Sequence, residues 1–490
     1  MSDTRQQIGT AVGAIVGGTV GFFVAGPAGA AKGALRGGAL GYSLTAPGPE
    51  EQSPTYSFGE EYNTASQTIP VPVVYGENKV AGNTIYKNVS GENDENMAIQ
   101  VAVSEGPIEV IEDIKVNDVN IEDLHSNSGV AEDHLENENY SIRLGERDQD
   151  QTGIGEQNYP YTAYISALLS ADDDLSGNVT ITSIVKGRKV EVWDDEALEW
   201  VTEYSRNPAY CLLDFITNDR YGLGISKEDI DLDSFIEAGL HCDEEVDGEP
   251  RYQLDYVIDF KQSSLDHIQE ILATFRGYLI YSAGEFRLKI DRPESSVQSF
   301  DMSNIVMDSF SYEKTSKKDR YNRVSVEYTD PDANWDKLVA RVNLDRDITE
   351  RGLNEETISL LGINRYSQAS RQAQYFQKKS WYCTTFCQFR VGIDALHCEA
   401  GDVVKVSHDV PGWEEKKFRI LSIQEEENDE MVLSCQEYQE AIYAEELDDF
   451  EYSLDTDLPN PYEKPPHVKN LSVSENGEIM EDGTWVNIIE

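Results

Sequence analysis

From Ile69 onward apolar and polar residues alternate with a period of two, interrupted by Gly, Pro, Asn and Asp, a pattern that predicts strands and turns. "IPVPVVYGENKVAGNTIYKNV" turns at Gly76 and Gly82, and "MAIQVAVSEGPIEVIEDIKVNDVNI" (97–121) reads as two strands joined by Ser104-Glu105-Gly106-Pro107. Residues 125–160 are polar and loop-rich before "NVTITSIVKGRKVEVW" restores the alternation. The period then lengthens. "PAYCLLDFIT" (208–217) puts Tyr210, Leu212, Leu213 and Phe215 on one side of a helix that the glycines of "YGLG" (221–224) end. "SLDHIQEILATFRG" is a second helix with Leu265, Ile268, Ile271, Leu272 and Phe275 on one face and Gly277 at its end. "YLIYSAGEFRLKI" predicts a hairpin turning at Ala283-Gly284, "RYNRVSVEYTDP" a strand, and "SQASRQAQYFQKKSW" a short helix. "CTTFCQFRVGI", "GDVVKVSH" and "KKFRILSIQEEENDEMVLSCQEY" follow as strands and hairpins, and "YEKPPHVKNLSVSE" as a proline hinge opening a new sandwich module. The class is α+β, β-rich.

The first residues break this rhythm. Gly9, Gly13, Gly17 and Gly21, then Gly29, Gly33, Gly37 and Gly41, form two ladders of four-residue spacing around Gly26-Pro27. That spacing draws a stripe down one helix face. Each interior glycine costs about 1 kcal/mol relative to alanine, so close helix-to-helix packing has to compensate. Three readings stay open: a signal peptide ending near Ala28-Gly29-Ala30, a membrane anchor, and a glycine-zipper helical hairpin packed in an oligomer and able to enter a membrane later. Each ladder spans about 25 Å of helix, at the short limit for a bilayer, and Lys32 and Arg36 interrupt the second.

A length of 490 residues implies three or four domains. The 91 acids against 40 bases leave −51, which argues against duplex DNA or anionic lipid as a surface-bound partner. Such a field either repels nucleic acid from a wall or keeps the protein soluble in high salt. Six scattered cysteines are no disulfide framework. If "WYCTTFCQFRV" is one strand, Cys383 and Cys387 stand roughly 13 Å apart on one face. That is too far to share a zinc at about 2.3 Å per bond. "DQDQTGIGE" (148–156) opens like a calcium loop, but Tyr159 holds the position of the closing acid, so it reads as a turn. No nucleophile elbow, P-loop, H-E-x-x-H or C-x-x-C is present, and paired acids such as "ADDDL", "WDDEALEW" and "EELDDFE" read as solvated faces. The chain is expected not to be an enzyme and calls for no cofactor, metal or catalytic residue.

"PVPVVYG" (70–76), "SEGPIE" (104–109), "NPAYCLLDFITNDRYGLG" (207–224), "GEFRLKIDRP" (284–293), "DRYNRVSVEYTDPDANW" (319–335), the helix around Arg371 and "EAGDVVKVSH" (399–408) occur in that order. In this order and spacing the chain resembles the tail tip attachment proteins, or baseplate hub proteins, of lambda-type long-tailed phages, over roughly residues 69–445. The resemblance implies a virion protein at the tail tip, assembled in the host cytoplasm. It implies a homotrimer whose tube-like β-barrel domains close the distal end of the tail tube and form the channel for DNA ejection, with host attachment through more distal parts. Expected partners are other copies of itself, the distal tail protein ring, other tail tip proteins and the tape measure protein. Genomic DNA in the lumen is a further partner, as are the host membrane through the ladders and a receptor through distal regions only. The expected domains are a glycine-zipper hairpin at 1–48, a linker at 49–68, a first hub β domain at 69–124 and an inserted β domain at 125–205. An α/β hub domain at 206–300, a tube-like β domain at 301–445, a linker at 446–466 and the start of a fibronectin type III-like module at 467–490 complete them. "SEGPIE" and "RYGLG" read as turn and helix-stop chemistry, with glycine for positive φ and proline for a fixed φ. Relatives continue into further fibronectin modules, so "GTWVNIIE" is expected to be a fragment's end or to be completed by a neighbour. The resemblance to lambda assigns no role to residues 9–44. A membrane-anchored or secreted glycan-binding protein is the alternative reading.

Overall fold

The computed structural model describes residues 70–444 apart from 92–94, 125–139, 153, 172–174, 176–178 and 427–428, together with Asn63 and the backbone of two strands, Glu475–Ile479 and Trp485–Ile489. The glycine ladders at 9–41 lie outside the described residues. The described chain is β-rich with few helices. The two C-terminal strands pair as an antiparallel hairpin in a unit of their own, 447–490.

The first core collects residues from Val73 to Ile290. One sheet has the order Asn83–Ser90, Asn96–Glu105, Thr162–Ser170, Tyr140–Leu144. A second is built on the long strand Ile181–Asp194, which pairs with Glu199–Tyr204, Ile108–Val116 and Glu77–Val80. The turn at 104–107 therefore makes no hairpin: it hands the chain from one sheet to the other. Gly106 needs its missing side chain for space rather than for positive φ, since a Cβ there would lie 2.3 Å from the Cα of Gly145.

Three helices cover this core. Pro208–Thr217 starts where expected, because the Asn207 side chain accepts from Ala209 N and Pro208 supplies no stranded N–H. It stops at Asn218, earlier than "YGLG", and the glycine segment folds back on it: Leu223 N donates to Phe215 O at 3.1 Å and Ile225 N to Ile216 O at 3.0 Å. A Cβ on Gly222 would sit 1.9 Å from Phe215 O, so this glycine too answers a close approach. Ser264–Thr274 also forms as expected, but Arg276, not Gly277, takes the left-handed conformation after it (φ 60°). The hairpin Gly277–Ser282/Glu285–Ile290 turns at Ala283-Gly284 as read, both at positive φ. The helix Leu232–Asp243 was not legible in the pattern. Gly239 in its interior lowers helix propensity, yet it faces Tyr210, whose Cζ would be 2.3 Å from an added Cβ.

The second core lies in a six-stranded sheet ordered Ser296–Phe300, Val403–His408, Trp413–Glu425, Met431–Glu437, Thr385–Val391, Ser311–Lys314. The third is a three-stranded sheet centred on Arg323–Asp330 and covered by the helix Tyr366–Tyr382. Cys383 corrects the strand reading of "WYCTTFCQFRV": it caps that helix, and only Cys387 lies on the strand, opposite Cys435. All six cysteines are buried and free.

Candidate functional site: two polar junctions

The motifs that lie far apart in sequence meet at two buried polar junctions. The first gathers "PVPVVYG", "SEGPIE" and "DFITNDRYGLG". Asp214, on the helix Pro208–Thr217, accepts from the Tyr75 hydroxyl at 2.7 Å and the Tyr221 hydroxyl at 2.6 Å. Arg188 reaches the same carboxylate at 3.7 Å and lies over the Tyr221 ring. Burial, then the Asp214 charge, pushes both tyrosines up, which keeps the hydroxyls protonated donors. Arg220 closes the rim by pairing with Glu105 at 2.5 Å. Beside it, Asp255 accepts from Glu77 N at 2.9 Å and takes the Arg206 guanidinium at two points, 2.8 and 2.6 Å. Gly76 makes this approach feasible, for a Cβ there would sit 2.3 Å from the Asp255 carboxylate, and its φ of +68° favours glycine as well.

The second junction joins "GEFRLKIDRP", "EAGDVVKVSH" and the helix around Arg371. Asp291 follows the last strand of the first core and is almost fully enclosed. Lys379, from the helix Tyr366–Tyr382, approaches it at 3.0 Å and Arg419, from the six-stranded sheet, at 3.2 Å. Tyr278 donates to it at 2.8 Å, and Tyr375 and Tyr443 donate as well. Burial alone would raise the Asp291 carboxyl; Lys379 first and Arg419 second overcome it and hold it well below the usual carboxylate range. Arg419 also donates to Arg292 O at 2.7 Å and to Gly401 O. At the edge, Lys289 bridges Glu399 at 2.9 Å and Asp402 at 2.7 Å, while Arg287 holds Glu399 and Asp231, each at 3.0 Å. One aspartate thus ties three cores together, since its partners come from elements of each.

The helix Tyr366–Tyr382 buries a polar face against these junctions. Gln368 and Gln372 both donate to Thr274 O, at 3.2 and 2.8 Å, and Gln372 accepts from Arg276 Nε at 2.9 Å. Two glutamines thereby satisfy the backbone where the helix Ser264–Thr274 ends.

The sequence reading singled out the motifs but not Asp291, Asp255, Lys379 or Arg419. A signal existed: Arg419 sits between the apolar Phe418 and Ile420, and these three are the buried residues of the strand Trp413–Glu425. The site residues expected at Gly9 through Gly41 lie outside the described residues. Among the described residues no group of three or more His, Cys, Asp or Glu is placed to hold a metal ion. The arrangement is that of a weld between modules: the carboxylates of Asp214, Asp255 and Asp291 face inward and are paired, while Nε and Nη1 of Arg188 are buried without a hydrogen-bond partner among the described residues.

The chain is similar to phage tail proteins. A family model described as putative phage tail protein matches residues 263–423, which include Asp291, Lys379 and Arg419 of the second junction. The chain is related to tip attachment and baseplate hub proteins. It is 31% identical over 211 residues to tip attachment protein J of Escherichia phage SECphi27, covering 42% of this chain and 18% of that protein. It is 20% identical over 482 residues to baseplate hub protein pb3 of Escherichia phage T5, covering 80% of this chain and 51% of that one. The chain therefore spans about half or less of the length of these curated relatives. Among solved structures, a chain in the virion of a native gene transfer agent particle shares the fold, with a TM-score of 0.56 at 15% identity over 79% of this chain and 89% of that one.

Proposed function

We propose that this protein is a structural hub of a long-tailed phage. Three copies close the distal end of the tail tube at the tail tip and line the channel through which DNA leaves, with host attachment through more distal parts. The observation that carries the reading is the relationship to a tip attachment protein and a baseplate hub protein over a chain whose fold recurs in a virion. The two junctions support it, because a wall that passes DNA under load needs modules that do not hinge, and buried, paired carboxylates fix one geometry. In this reading the sheets at 69–120 and 300–445 form the tube-like wall, against the distal tail ring and the tape measure protein. Any acids that face the bore repel DNA, which carries one charge per about 1.7 Å of axis. The ladders at 9–41 pack as a hairpin near the symmetry axis, and residues 467–490 begin a fibronectin-like module. The chain performs no catalysis.

Imaging of the purified protein by electron microscopy tests this. A three-fold ring with a central bore that docks on the ends of isolated tail tubes is expected. Particles without rotational symmetry or without a bore overturn the proposal.

A further inference from the structure

The strand Thr385–Val391 runs between two exposed patches of opposite character. At its C-terminal end five large apolar side chains face outward: Val297, Met302, Met307, Ile393 and Leu396, with Met307 85% and Ile393 71% exposed. Their segments touch, for Gln298 donates to Asp394 O at 3.0 Å, Val306 N donates to Arg390 O at 2.9 Å, and Ile305 bridges Val391. Asp301, Asp308 and Asp394 rim this patch, all exposed, and none has an ion pair among the described residues.

At the N-terminal end of the same strand lies the edge strand Ser311–Lys314, exposed along its length. Lys314, Lys317 and Lys318 follow one another there, exposed and without an ion pair among the described residues. Glu313, Asp319 and Arg320 share the stretch and leave it net positive. Tyr312, Leu353 and Tyr382 stand out beside the lysines, at 44, 53 and 53% exposure. They are neighbours in space: Lys314 pairs with Thr385, Thr315 N donates to Thr384 O at 2.8 Å, and Asn354 donates to Lys318 O at 2.9 Å. Single exposed apolar residues are ordinary, but a contiguous group on a strongly charged chain marks a contact surface.

We infer that these two ends bind each other between copies of this chain, the acid-rimmed end (Met307, Ile393) of one against the lysine-bearing end (Lys314, Lys317, Lys318) of the next. Charge decides between this and a symmetric contact. Joining two acid-rimmed ends would bring Asp301, Asp308 and Asp394 against their own copies, in a chain of net charge −51. The lysine end removes that repulsion and supplies apolar surface of its own. The two ends are about 20 Å apart along the strand, so one copy can use both at once. A head-to-tail contact of this kind generates a ring when its rotation closes. The inference rests on the hub reading above and deepens it by naming the surfaces that meet.

The test uses the full chain and the mass of the assembly in solution. Met307→Asp with Ile393→Asp blocks the first end; Lys314→Glu with Lys317→Glu and Lys318→Glu blocks the second. These side chains are exposed, so unchanged circular dichroism and melting are required of both variants. The wild type is expected as a closed multiple, each variant alone as a single chain, and an equimolar mixture of the two as a capped dimer. That dimer can form only if the intact first end of one binds the intact second end of the other. Either variant keeping the wild-type mass overturns the inference, as does a mixture that stays single. A wild type that is single at its highest soluble concentration overturns it too, while docking onto tail tubes separately decides the hub reading.

Discussion

Ala283 occupies a conformation that suits another residue. It and Gly284 are at φ 54° and 96° in the turn between Gly277–Ser282 and Glu285–Ile290, the pair of positive values that two-residue hairpins favour. An L-residue with a bare Cβ pays about 1–2 kcal/mol in that region, and asparagine pays less. Ala283→Asn is expected to stabilise the protein by about 0.5–1 kcal/mol, read as a higher urea midpoint with unchanged slope. His267 is a second local device. It is buried among Phe215, Tyr256 and Phe260, and burial lowers its pKa from 6.5 to about 4. Because the folded protein resists its protonation, the stabilisation is full above about pH 6.5 and drains as pH falls towards 4. His267 is expected to contribute a loss on the order of 3 kcal/mol to urea titrations across that window, and His267→Phe is expected to remove that contribution and leave the smaller one of His241, which burial also lowers.

Between elements, Asp291 is the position on which three cores depend. Removing its charge leaves Arg419 and Lys379 enclosed without their common partner. Breaking a buried pair from one side costs about 3–5 kcal/mol, so Asp291→Asn is expected to lower the melting temperature sharply while the isolated secondary structure survives. The pH dependence has a definite sign. The folded carboxyl is held below its unfolded value, so its contribution is present above about pH 4 and is lost as pH falls below that. The variant is expected to lack this acid loss. The helices Pro208–Thr217 and Ser264–Thr274 were legible because their apolar spacing and caps are local, whereas Tyr366–Tyr382, read as a short helix, runs for 17 residues with no side-chain cap and buries a largely polar face. Leu232–Asp243 was missed because the merit of Gly239 is visible only once Tyr210 stands against it.

For the whole molecule, the glycine ladders provide the test of how the proposed axis is filled. A stripe of glycine lets helix backbones approach closely along its length, and leucine does not. Gly13→Leu with Gly17→Leu is therefore expected to give particles that assemble poorly or leak DNA, measured as particle yield and as nuclease-sensitive DNA. Unchanged yield and infectivity would separate the ladders from assembly. Removing residues 1–48 is expected to leave a soluble oligomer that still docks on tail tubes, because the junctions and the proposed contact ends all lie beyond residue 70.

The order of motifs, the β-rich class, the helices Pro208–Thr217 and Ser264–Thr274 and the hairpin at Ala283-Gly284 were set by the chain alone, because period, caps and turn chemistry act within a few residues. The destination of each motif was not. That "SEGPIE" separates two sheets, that Gly222 and Gly239 yield space rather than flexibility, and that Cys383 ends a helix depend on what lies opposite. The same holds for Asp291, whose partners Lys379 and Arg419 are 88 and 128 residues away in sequence. Burying a charge is stable only when its counter-charges arrive together, and only the tertiary fold brings them there.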